Sequence, residues 1–140
     1  MAEIILGKPV ISGKAEGVVL SSDEPLSFWG GYDHQTGEIT DRRHPLSGKI
    51  ASGKILLLPF TKGSSTTTAV LLESIRAGTA PAAILTKSVD SFLVLASVVA
   101  EKMYSKPIPI IRLSEEGFRK LAAADRVQID EDGRITILGQ

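Results

Sequence analysis

The sequence predicts an α/β domain built on a mixed sheet, and three observations carry that expectation. Three short apolar runs, Lys54–Phe60, Pro81–Thr86 and Pro107–Leu113, each precede a segment with helical features. Strands that alternate with helices in this way point to parallel pairing. Extended, glycine-punctuated segments come before this unit and two alternating runs follow it, so other strands are expected to join the parallel ones. No linker divides the chain, and residues 1–140 are expected to form a single domain.

Taken in order, Val10–Leu20 reads as extended, with Val18-Val19-Leu20 rich in β-formers and Gly13 and Gly17 as punctuation. Ser21–Gly53 holds five glycines, two prolines, the only tryptophan and one of the two tyrosines. A flexible linker has no use for such aromatics, so a structured loop with short strands is expected. Lys54–Phe60 is continuously apolar up to Pro59, which suits a strand buried on both faces. Thr67, Val70, Leu71 and Ile75 recur at helical spacing before Gly78, a stop signal. Pro81–Thr86 reads as a second buried strand. Asp90 or Ser91 can cap a helix through Lys102 that turns Phe92, Leu95, Val98 and Val99 to one face. Pro107–Leu113 is the third strand. Ser114 can cap a helix to Ala124, with Glu115 and Glu116 at its positive end. Val127–Ile129 and Ile135–Leu138 flank Asp132-Gly133, the signal of a two-residue hairpin.

Composition narrows the function classes. A chain of 140 residues buries about two-thirds of the surface its unfolded form exposes, enough for a core without staples. Hydrophobic residues at 43% and charged residues at 23% argue against disorder. Sixteen Lys and Arg balance sixteen Asp and Glu, so there is no basic field to draw in nucleic acid. Zero net charge leaves little self-repulsion, which suits a protein that sits against a partner. The absence of cysteine removes disulfides, thiol catalysis and self-supplied iron–sulfur ligation. Two histidines, His34 and His44, leave little room for a metal centre, and no metal site is expected. Ile4-Ile5-Leu6 is too short for a signal peptide, and Phe92–Ala100 is far below the ~20 residues that span a bilayer. A cytoplasmic protein with no membrane partner is therefore expected.

Three segments are candidates for chemistry. Lys62-Gly63-Ser64-Ser65 leaves the carboxyl end of a buried strand and opens a helix, the place where open α/β sheets hold ligands. Free amides at a helix start attract anions, glycine admits close approach, and Lys62 adds positive charge. The spacing is neither a phosphate-binding P-loop nor a Gly-x-Ser-x-Gly elbow. The plain alternative is that Ser64 or Ser65 only caps the helix, worth about 1 kcal/mol. Ser27-Phe28-Trp29-Gly30-Gly31-Tyr32-Asp33 can wall a pocket or fill a partner's cleft, or else plug the core beneath a loop. In Thr40-Asp41-Arg42-Arg43-His44-Pro45 the arginines can bind carboxylate or phosphate and His44 can move a proton, the alternative being a solvated surface run.

Together these segments resemble the swivelling domain of aconitase X. The resemblance runs in order over roughly residues 8–113. It takes in Gly13-Lys14-Ala15-Glu16-Gly17, Ser27–Asp33, Thr36–Asp41, His44-Pro45-Leu46-Ser47-Gly48, Gly53–Pro59, Lys62–Ser65 and Pro81-Ala82-Ala83-Ile84. It implies a swivelling β/β/α domain with a mixed sheet. It implies further the small subunit of a hydro-lyase whose large catalytic subunit carries the iron–sulfur ligands. The family's serine after Lys-Gly maps onto Ser64, which the resemblance makes the base that removes a substrate proton. Lys62, Gly63, Ser65, Trp29, Gly30 and His44 are then expected around a small hydroxy-acid substrate. The Phe-Trp-Gly-Gly-Tyr-Asp and His44-Pro45 segments resemble bacterial members acting on cis-3-hydroxy-L-proline more than archaeal ones acting on mevalonate 5-phosphate. Arg42-Arg43 as a phosphate clamp keeps the second substrate as the alternative. A non-catalytic interaction domain and an independent anion-binding module are the competing readings. The first would keep turnover without the Ser64 hydroxyl, and the second would bind anions tightly without a partner.

Overall fold

Ile55–Leu58 is apolar at every position, so no alternation can turn one face to water, and a strand there needs cover on both sides. In the computed structural model, which describes residues 3–139, all four side chains are fully buried. In chain order the elements are β1 (Ile4–Leu6), β2 (Lys8–Ile11), β3 (Ala15–Ser21), α1 (Phe28–Gly31), β4 (Ile55–Leu58) and α2 (Ser65–Ala77). There follow β5 (Ala83–Thr86), α3 (Ser91–Tyr104), β6 (Ile110–Arg112), α4 (Glu115–Ala122), β7 (Arg126–Ile129) and β8 (Arg134–Gly139).

The eight strands form one sheet in the order β1-β8-β7-β3-β4-β5-β6-β2. β3 to β6 run parallel, as the alternation of strand and helix requires. β7, β8 and β1 extend the sheet antiparallel on one side and β2 does so on the other. β3 serves both halves: Ala15–Val18 pair with β7 and Val19–Ser21 with β4. The two outermost strands, β1 and β2, are consecutive in the chain and separated only by Gly7. The sheet therefore curls until its edges meet at one residue. Gly7 donates its N–H to Gly133 O (2.9 Å), and a Cβ there would run into the Ile111 side chain.

Two cores follow from the alternation along β4 and β5. Leu56, Leu58 and Ile84 pack with Leu71 and Ile75 of α2 and with Leu93, Ala96 and Ala100 of α3. Ile55, Leu57, Ala83 and Leu85 pack on the other face with α4 and the β7–β8 hairpin. The result is helices, a parallel sheet and a second strand layer, the β/β/α arrangement.

Several expectations are corrected. β1 was not foreseen as a strand, because three residues carry too little periodicity. The long loop contains isolated bridges, Tyr32↔Ile39 and Glu38↔Ile50, rather than strands. It also contains a single helical turn, α1, broken at Trp29 and at Gly30 (φ 76°). The hairpin loop is longer than two residues: Asp130 donates to Arg134 O (3.0 Å) and Gly133 to Asp130 O (3.1 Å). With Gly133 at φ 84°, this is a three-residue connection ending in a left-handed glycine. On α3 the expected face is the wrong one. Phe92, Leu95 and Val98 are exposed, whereas Leu93, Ala96, Ser97 and Ala100 are buried. Small residues let α3 lie close to its neighbours, and Ser97 fixes the rotation: its Oγ donates to Ile108 O and accepts from Ile108 N–H, both at 2.8 Å. No helix among the described residues is long and apolar enough to cross a membrane.

Candidate active site

The turn from β4 into α2 lies at the carboxyl edge of the parallel strands and is tied down on both sides. Lys62 N–H donates to Leu26 O (3.0 Å), and Leu26 forms a parallel bridge with Thr61. Pro59 O accepts from Lys87 N–H (3.0 Å) and Ser88 N–H (3.2 Å), which joins this turn to the one after β5. Ser64 is the N-cap of α2, extended in backbone (φ −162°, ψ 169°) and exposed to solvent. Thr67 Oγ1 accepts from Ser64 N–H (3.3 Å) and donates to Lys62 O (3.3 Å), so a side chain from inside the helix braces the turn. Thr67 N–H, the third amide of α2, donates to Ser64 O (2.9 Å), and the two amides before it, with no carbonyl one turn back, give this end its positive character.

Gly63 owes its identity to Asp90. A Cβ at position 63 would stand 2.6 Å from the Asp90 carboxyl carbon, closer than real side chains come. Asp90 caps α3 by accepting from Phe92 N–H (2.9 Å) and also accepts from Thr61 Oγ1 (3.0 Å). Its charge is thus taken up by a helix start and a hydroxyl, which limits its repulsion of an anion at Ser64. Two helix N-termini therefore meet across one glycine.

A depression opens on each side of this turn. One, of about 420 Å3, is lined by Phe60, Thr61, Gly63 and Ser88–Ser91. The other, of about 440 Å3, is lined by Glu24, Pro25, Asp41, Arg43, His44 and Lys62. Lys62 and His44, widely separated in sequence, thus share one pocket. His44 is buried, with both ring nitrogens engaged: Nδ1 accepts from Leu46 N–H (3.1 Å) and Nε2 donates to Glu24 O (3.2 Å). Its ring is a strut that holds the Asp41–Leu46 loop against Glu24, rather than a free arm. Ser65 is exposed at the first position of α2. Trp29 is 68% exposed while Phe28 beside it is fully buried. Phe28 packs against the buried Tyr32 with the rings tilted and their centroids 4.9 Å apart, so Phe28 goes to the core and Trp29 to the surface. Trp29 and Gly30 stand on α1, which lies against α2, and they line neither depression. Asp90 was foreseen as a cap but not as the neighbour of Gly63, and nothing in the sequence marks Glu24 as a pocket wall.

The residues present do not fit a metal or an iron–sulfur cluster. There is no cysteine, and no group of three or more His, Asp or Glu among the described residues could hold an ion.

Residues 4–137 match the family model of the aconitase X swivel domain. The chain is 41% identical over 136 residues to the cis-3-hydroxy-L-proline dehydratase of Pseudomonas aeruginosa, covering 97% of this chain but 23% of that protein. It is 38% identical over 121 residues to the phosphomevalonate dehydratase small subunit of Methanothermobacter thermautotrophicus, covering 86% of this chain and 88% of that one. The crystal structure of Thermococcus kodakaraensis aconitase X in its holo form superposes with a TM-score of 0.82 at 29% identity, over 97% of this chain and 98% of that one. With a three-layered fold, the Lys62–Ser65 turn on its sheet edge and a family match over almost its whole length, the chain belongs to the aconitase X swivel-domain family.

Proposed function

We propose that this chain is the small subunit of a heteromeric hydro-lyase that dehydrates a small hydroxy acid, cis-3-hydroxy-L-proline, with Ser64 as the proton-abstracting base. The observation that carries the proposal is the placement of Ser64: an exposed hydroxyl on a helix N-cap, two residues from Lys62, at the carboxyl edge of parallel strands. In the reaction, the carbon bearing the carboxylate gives its proton to Ser64. The hydroxyl departs from the adjacent carbon as the C=C bond forms, and the proton and hydroxide lost amount to one water. A free serine is a poor base. What supports its activation is the start of α2, whose dipole favours an anion at the N-cap, with the Lys62 cation two residues away in the chain. An iron–sulfur cluster would act as Lewis acid on the leaving hydroxyl. With no fitting residues among the described ones of this chain, such a cluster would be held by the large subunit, and this chain's part is to bring the base to a substrate enclosed between the two subunits. The identity to a cis-3-hydroxy-L-proline dehydratase supports that substrate. The match to a phosphomevalonate dehydratase small subunit, close to this chain in length, supports mevalonate 5-phosphate as the alternative.

The test is Ser64→Ala in the complex with the large subunit. General-base loss is expected to cut kcat by about 10²–10⁴-fold. Turnover within tenfold of the parent would remove Ser64 from the role. Ser65→Ala serves as the comparison and is expected to keep turnover within tenfold.

A further inference from the structure

The pocket beside Lys62 carries four charged residues that the fold leaves unneutralised. Glu24 and Asp41 share its walls with Arg43 and Lys62. Among the described residues, none of the four takes part in an ion pair within 4.0 Å. Opposite charges that share a pocket without touching are held apart by the backbone that carries them, and here that backbone is built. Arg43 N–H donates to Asp41 Oδ1 (3.0 Å) and His44 N–H to Asp41 O (3.0 Å), which fixes the turn that presents Arg43. The buried His44 ring joins this turn to Glu24 O, and Lys62 is held by Leu26 from a third side. Asp41 is engaged as an acceptor within its own turn. Glu24 uses its backbone in the fold, N–H to Ser22 Oγ (3.0 Å) and C=O from His44, and leaves its carboxylate for a ligand.

We propose that Arg43 and Lys62, opposed by Glu24, form a dipolar clamp for a small zwitterionic hydroxy amino acid. The two cations take its carboxylate and Glu24 takes its ammonium group. The proposal rests on the dehydratase function above and adds the residues that choose the substrate. A zwitterion matches both signs in the pocket. A phosphate ester brings a dianion and no cation, and so meets Glu24 with like charge. Lys62 lies two residues, at most about 7 Å of chain, from Ser64, so the pocket adjoins the turn that carries Ser64. A volume of about 440 Å3 is within the range of small-molecule sites.

The experiment compares Glu24→Gln, Arg43→Gln and Ser64→Ala in the complex with the large subunit, using cis-3-hydroxy-L-proline and mevalonate 5-phosphate. Lys49→Gln, an exposed cation of the same loop outside the pocket lining, is the control. Glu24→Gln and Arg43→Gln are expected to raise KM for hydroxyproline about tenfold or more, with kcat within about threefold. Glu24→Gln is also expected to narrow the preference over the phosphate ester, while Lys49→Gln changes neither. If Ser64→Ala abolishes turnover but the Glu24 and Arg43 variants keep the parent KM, the clamp is wrong and the function stands. If the complex dehydrates neither compound, the function falls, and ¹⁵N titration of the full chain decides the clamp. L-proline is then expected to shift the amides of Glu24, Arg43, His44 and Lys62 in the parent and not in Glu24→Gln. Equal shifts from inorganic phosphate, or none from proline, would overturn it.

Discussion

Tyr32 shows how one side chain ties the long loop to the rest of the molecule. Its ring is buried against Phe28 and its hydroxyl donates to Thr79 O (2.8 Å), just past the end of α2. Thr79 Oγ1 in turn donates to His34 O (2.7 Å). Burial pushes the Tyr32 phenol well above its ordinary 10.0, because the anion would lose its hydration. Above pH 10 the unfolded chain loses this proton while the native chain keeps it. The native state then binds more protons, and stability falls as pH rises. Parent stability in urea is therefore expected to drop by up to about 1.4 kcal/mol per pH unit more steeply than that of Tyr32→Phe above pH 10. At neutral pH the variant is expected to be about 1 kcal/mol less stable for the lost hydrogen bond. Parallel alkaline slopes for the two proteins would show that the phenol is not shielded as described.

Among the elements, α3 separates what apolar spacing can say from what packing decides. The helix is apolar on most of its circumference, so its sequence offers two faces to the core. Leu93, Ala96, Ser97 and Ala100 are chosen because small side chains permit close approach and because Ser97 satisfies both polar groups of Ile108. Leu93→Ala is expected to cost about 2–5 kcal/mol in urea unfolding, since it opens a cavity at a fully buried position. Leu95→Ala, at a position 49% exposed, is expected to stay within about 0.5 kcal/mol. Similar losses at the two positions would contradict this rotation of the helix. The N-cap of the same helix was legible as Asp90, since Asp is a strong cap, but its contact with Gly63 spans 27 residues of chain and has no local signature.

At the level of the molecule, the parallel strands and their helices place Ser64 on an edge with no substrate enclosure of its own, and the two depressions beside it are open. The isolated chain is expected to show no dehydratase turnover, and activity is expected to appear and saturate near one-to-one addition of the large subunit. Turnover by the chain alone, measured as product formation, would count against the division of labour proposed here.

Local order was readable from residues close together in the chain. Continuous apolar runs marked β4, β5 and β6, caps and a left-handed glycine marked α2, α3 and α4, and the Lys62–Ser65 turn stood out because its strand and helix are adjacent in sequence. Pairing between distant segments was not readable. The curling of the sheet at Gly7, the meeting of Glu24, Arg43 and Lys62 around one pocket, the division of Phe28 from Trp29 and the burial of the His44 ring all depend on contacts across long stretches of chain. Neighbouring residues restrict backbone angles and the spacing of apolar side chains. Which surfaces then meet is decided by burial and hydrogen bonding summed over the whole chain, and no local pattern records that sum.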